Sequence, residues 1–101
     1  MDAPGTPVLH NEAEHRFEAK VNGAIAFLTY RESPHVITFI HTEVPSEFAG
    51  QGIGSSLARA GLDYARQKHL QAVPLCSFVA GYVQRHPEYL DLIPPHFKNK
   101  S

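Results

Sequence analysis

Residues 43–66 read EVPSEFAGQGIGSSLARAGLDYAR, and this stretch decides the fold. It leaves an apolar, strand-like segment at Val44-Pro45 and passes three alternating glycines, Gly50, Gly52 and Gly54. Beyond them lies an amphipathic pattern. Ile53, Leu57, Ala60, Gly61 and Tyr64 fall on one face, while Arg59, Asp63, Arg66 and Gln67 fill the other. The apolar period thus changes from two to about 3.6 at the glycines. The spacing predicts a helix over 53–68 that follows a strand through a bare turn.

Upstream, the chain reads as antiparallel strands. Arg16–Val21 alternates, with Phe17, Ala19 and Val21 on one face. Asn22-Gly23 is a strong two-residue hairpin signal. It pairs Val21 with Ala24 and Ala19 with Ala26, and it turns Ile25 and Phe27 to the other face, which then needs at least partial cover. Val8–His10 is a short first strand, and Ser33-Pro34 marks a second turn. Val36–Ile40 is apolar at nearly every position, as in a central strand covered on both sides. It runs on through His41-Thr42-Glu43-Val44 and stops at Pro45, which has no N–H for a ladder.

Downstream, Ala72–Cys76 is a further short strand. Val79, Tyr82, Val83 and His86 repeat at helical spacing, predicting a second helix over 78–86 that Ser77 caps and Pro87 ends. Leu90–Ser101, with Pro94-Pro95, reads as irregular.

The expected fold is therefore an α/β (α+β layered) domain: a mostly antiparallel mixed sheet of about five strands with two helices. Residues 1–7 are a flexible lead-in, 8–93 the domain and 94–101 an irregular tail.

The 101 residues hold one domain, not two. Nine Lys+Arg against ten Asp+Glu leave no basic face, so nucleic acid is not expected as a partner. Seven histidines lack paired helical spacing and a cysteine cluster, so no metal site is expected. The single Cys76 excludes an internal disulfide and, without a signal-like N-terminus, points to the cytoplasm. No stretch approaches the roughly 20 apolar residues that span a bilayer.

A strand, a glycine turn and a helix make an anion cradle. The first helical N–H groups have no partner within the helix, and the dipole adds positive charge there. A phosphate-binding P-loop would need lysine after Gly54, where Ser55 stands. A dinucleotide fingerprint would need glycine at Ser55 and a parallel strand–helix–strand unit.

Gly50-Gln51-Gly52-Ile53-Gly54, preceded by Val44–Phe48, instead resembles the acetyl-CoA pyrophosphate loop of the GNAT superfamily of N-acetyltransferases. The usual Gln or Arg position falls on Ala49, a departure that leaves only main-chain donors there. HTEVPSEFAGQGIGSSLARAGLDYAR and VPLCSFVAGYVQRHPEY together resemble the minimal, single-domain branch of that superfamily, over roughly residues 8–91.

The resemblance implies acetyl transfer from acetyl-CoA to an amine acceptor. It puts the pantetheine arm along Thr42, Glu43 and Val44, and the pyrophosphate on Ala49, Gly50, Gln51, Gly52, Ile53, Gly54 and Ser55. A main-chain N–H near Val44 would polarise the thioester carbonyl. Cys76 and His41 match positions proposed as catalytic in this branch.

On the residues alone, Cys76 precedes a helix whose dipole favours a thiolate, and it equally suits a small buried hydrophobe. His41 is read on the face of Ile37 and Phe39, either as a base or thiolate partner or as a satisfied core histidine. Tyr82 is either an acid for the leaving thiol or a packing residue. Transfer by direct attack and transfer through a Cys76 acyl-enzyme both remain open. So does a CoA- or acyl-CoA-binding module with little catalysis. The resemblance further implies that, without the N-terminal helices that wall the acceptor site in larger relatives, this site is open and shallow or completed by a partner.

Overall fold

The computed structural model describes residues 7–48 and 50–95. Residues 1–6 of the expected lead-in, Ala49, and residues 96–101 of the expected tail lie outside the described residues. The chain forms five strands in sheet order β1-β2-β3-β4-β5: β1 (Leu9–Asn11), β2 (Arg16–Val21), β3 (Ala24–Glu32), β4 (Val36–Glu43) and β5 (Gln71–Pro74). The first three pairings are antiparallel and the last, β4 with β5, is parallel. Helix α1 (Ile53–Gln67) is the crossover between β4 and β5, and α2 (Ser77–Arg85) follows β5.

The β2–β3 hairpin has the register that its Asn-Gly turn demands, with Val21 opposite Ala24 and Ala19 opposite Ala26. Asn22 and Gly23 both take positive φ, at 49° and 84°. Phe17, Ala19, Ala26, Leu28, Tyr30, Ile37 and Phe39 form the buried face of the sheet. Against it lie Ile53, Leu57, Ala58, Leu62 and Ala65 of α1 and Val79, Tyr82 and Val83 of α2, in one continuous core.

Gly61 permits the close approach of helix to sheet. A Cβ there would stand 2.7 Å from the Phe39 ring and 3.3 Å from Leu28.

Cover on both sides of Val36–Ile40 was expected, and the structure corrects this at Ile40. Ile25 and Ile40, on the face away from the core, are 38% and 45% exposed. Phe27 is sheltered there by a side chain, with the Arg16 guanidinium 4.9 Å above its ring. Arg16 also donates to Glu18 at 2.5 Å, and Asn11 donates to the same carboxylate oxygen at 3.0 Å. These bonds, the Arg16 one foremost, hold the Glu18 carboxyl below the usual carboxylate range.

Between Thr29 and Tyr30 the β3–β4 register shifts. Thr29 faces His41 but Tyr30 faces Phe39, so Ile40 is an extra residue on β4. Such a β-bulge turns every later side chain of its strand to the other face.

The expected helix over 78–86 is α2, and β5 ends at Pro74, two residues before the expected Cys76. Part of the expected irregular tail is ordered. Residues Pro87–Leu92 form 3-10 turns fastened to α1, with Tyr89 donating to Asp63 at 2.7 Å and Arg66 paired with Asp91 at 3.0 Å. Among the described residues, no helix is long and apolar enough to cross a membrane.

Candidate active site

The site begins where two parallel strands part. β4 and β5 pair from Val36 opposite Gln71 to Phe39 opposite Pro74. One further bond, from the Cys76 N–H to the Phe39 carbonyl at 3.0 Å, closes the pairing. Pro74 brings no N–H, and the chain then turns into α2, while β4 runs on to Glu43. Beyond Phe39 the β5 side of β4 is an open strand edge.

The glycine turn faces this opening. After Val44-Pro45 a 3-10 turn, Ser46–Phe48, leads into it. Gly50 and Gly52 take φ of 84° and 78°, in the left-handed region that side chains rarely adopt. Gly52 is the N-cap of α1 and offers no side-chain cap, so the first helical N–H groups point outward without one. The Ser56 N–H and hydroxyl both return to the Gly52 carbonyl, at 3.0 and 3.2 Å, and fix the turn.

Gly54 is bare for a different reason. A Cβ there would lie 2.7 Å from the Phe78 ring, which packs across from the first turn of α2. The N-termini of the two helices therefore abut.

Between these parts is a cavity of about 450 Å³ lined by Thr42, Val44, Phe48, Gly50, Gly52, Ile53, Gly54, Ser55 and Phe78. It joins the free edge of β4 to the glycine turn. Most of the residues expected to hold a CoA thus surround one space. Glu43 and Gln51 flank it, both exposed, and Ala49 lies outside the described residues.

Cys76 is the N-cap of α2 and is 8% exposed. Its Sγ lies 3.1 Å from the Thr42 Oγ1. Thr42 stands opposite Leu28 and so turns to the core face, and it also lines the cavity. The sulfur therefore sits behind Thr42.

His41 was expected to share the face of Ile37 and Phe39, and the bulge at Ile40 corrects this. His41 stands opposite Thr29 on the other face, with its side chain 59% exposed. Its Nε2 lies 3.2 Å from a Glu43 carboxylate oxygen, and its ring meets the edge of Phe27 at 6.2 Å. His41 and Cys76 do not meet.

Tyr82, weighed as an acid, is 2% exposed in the core and stacks on His86 at 4.1 Å between centroids. Both are packing residues. Sequence reasoning missed Phe48 and Phe78 as cavity walls, and it gave Thr42 a main-chain role only. The helical spacing that marks Val79 and Tyr82 as inward leaves Phe78 on the rim, a readable signal only once the Gly54 contact is known.

A family model described as GCN5-related N-acetyl-transferase matches residues 16–92. The mouse and human proteins called NATD1 are each 32% identical to the chain over 93 residues. That match spans 87% of this chain, with 84% of the mouse and 82% of the human relative. A GCN5-like candidate N-acetyltransferase from Staphylococcus aureus, solved by NMR, superposes with a TM-score of 0.69 at 29% identity, covering 90% of each chain.

Proposed function

The chain belongs to the GCN5-related N-acetyltransferase family, and on that premise we propose that it moves an acetyl group from acetyl-CoA to an amine by direct attack. The observation that carries this is the cavity joining Thr42 and Val44 to Gly50 and to Gly52–Ser55. An extended thioester arm and a diphosphate need those two surfaces side by side. The free edge of β4 offers main-chain groups to the pantetheine amides, as a strand offers them to an added strand. The outward N–H groups of the first α1 turn receive the diphosphate. The Val44 N–H serves as donor to the thioester carbonyl as it becomes an oxyanion.

The acceptor approaches from the open face of the sheet. His41 stands there with Glu43, so Nε2–H donating to the carboxylate leaves the Nδ1 lone pair as a base. A neutral amine attacks the carbonyl carbon, its proton passes to His41, and the electron pair of the broken carbon–sulfur bond goes to the CoA sulfur. Direct attack suits the buried position of Cys76 behind Thr42 better than an acyl-enzyme does. The exposed Ile25 and Ile40 on that face suit an open acceptor site, or one that a partner completes.

The separation of His41 from Cys76 favours a second reading, a CoA-binding module with little catalysis. Thermal-shift titration with acetyl-CoA, followed by assay of CoA release, tests both. A rise in Tm with turnover supports transfer; a rise without turnover supports the module; no rise defeats both.

A further inference from the structure

The sulfur of CoA needs a proton as it departs; among the described residues no tyrosine lines the cavity, and Tyr82 is sealed in the core. The polar side-chain group that lines the cavity on the inner face of β4 is the Thr42 hydroxyl, and the Cys76 thiol stands directly behind it at 3.1 Å. We propose that Thr42 and Cys76 form a two-group proton relay to the departing sulfur of CoA.

This inference rests on the acetyl-transfer reading and deepens it. As the carbon–sulfur bond of the tetrahedral intermediate breaks, its electron pair goes to the CoA sulfur. Thr42 O–H gives its proton to that sulfur, and Cys76 S–H gives its proton to Thr42 Oγ1. CoA departs as the thiol, Thr42 is restored, and Cys76 is left as a thiolate. That thiolate lies at the first turn of α2, whose main-chain N–H groups face a negative charge. Water returns the proton once the product has gone.

Thr42 is then a catalytic residue, because it meets the ligand. Cys76 is a positioning and supplying residue, because it acts through Thr42. The β-bulge makes the arrangement. If Ile40 were paired in regular register instead of bulged, Thr42 would face away from Cys76.

The test uses the full chain and its Thr42→Val, Thr42→Ser and Cys76→Ala variants, with acetyl-CoA as donor and a lysine-containing peptide as the amine probe. Three quantities are read: acetyl-CoA affinity, kcat for CoA release, and the rate at which iodoacetamide alkylates Cys76 without acetyl-CoA. Thr42→Val leaves the main-chain contacts in place, so its affinity falls much less than its kcat. It lowers kcat about a hundredfold or more, the scale of lost general acid catalysis, and slows alkylation. Thr42→Ser recovers most of both. Cys76→Ala lowers kcat as Thr42→Val does, and the double variant adds little.

Thr42→Val with wild-type kcat and alkylation overturns the relay while acetyl transfer stands. Acetylated Cys76 trapped by acid quench overturns it also, in favour of an acyl-enzyme. Wild-type protein that binds acetyl-CoA yet releases no CoA overturns the transfer reading and the relay with it. The alkylation series still reports whether the pair exists.

Discussion

His41 and Cys76 lie on opposite sides of the sheet: the imidazole reaches Glu43 on the open face, and the sulfur reaches Thr42 on the face covered by helices. One extra residue in β4 produces this division. It separates an imidazole on the open face from a thiol on the helix-covered face, with the parted strands β4 and β5 between them.

Gly23 and Gly50 provide a matched pair for testing the glycine turn. Both have φ of 84°, and at neither would a Cβ meet an atom within 4 Å. Alanine at either position costs only the left-handed strain, about 1–2 kcal/mol. Urea unfolding of Gly23→Ala and Gly50→Ala should therefore show equal losses, while only Gly50→Ala weakens acetyl-CoA binding. Equal affinities in the two variants would remove Gly50 from the cofactor site.

Gly54 and Gly61 lie on the same helix and give the opposite contrast. At Gly61 the added methyl meets Phe39 and Leu28, both fully buried, and nothing can yield. Gly61→Ala should cost about 1–3 kcal/mol from overpacking, offset by up to about 1 kcal/mol of helix propensity. At Gly54 the obstacle is the tip of Phe78, which is 37% exposed and can swing aside. Gly54→Ala should unfold close to wild type yet bind acetyl-CoA about tenfold more weakly, because the displaced ring is a cavity wall. Chemical denaturation and calorimetric titration measure the two effects.

His10 gives the fold a pH dependence. It stacks on Phe17 at 4.2 Å, and its Nε2 lies 2.6 Å from the Tyr30 hydroxyl. Burial pushes its pKa below the ordinary 6.5, against a smaller upward pull from Glu12 and Glu32. The unfolded chain then takes up the proton first. The stability carried by the neutral ring is complete above pH 6.5 and is lost as pH falls through the lower folded value. Between pH 7.5 and about 5, the Tm of wild type should drop more than that of His10→Gln. A parallel decline in both would assign the acid sensitivity elsewhere.

Much of this was legible in the residues. Asn22-Gly23 set the hairpin register, and the change of period at the glycines placed α1. What escaped reading was the consequence of one bulge. Counting alternate residues from Ile37 and Phe39 carries His41 inward, and only the β3–β4 pairing reveals that Ile40 is surplus. The sequence also does not distinguish the glycines, of which Gly50 and Gly52 take the left-handed turn while Gly54 makes room for the Phe78 ring. Local pattern marks a bare position; the neighbour that requires it comes from elsewhere in the chain. The same holds for the segment after Pro87, whose docking depends on Asp63 and Arg66 of α1.

The central claim is that the main chain at the start of α1 grips the diphosphate of acetyl-CoA. Amide chemical shifts of the protein titrated with CoA test it most directly. The largest saturable shifts should fall on Gly50 through Ser55, with a second set on Thr42, Glu43 and Val44. Saturable shifts centred on any other surface, or none at all, would contradict it.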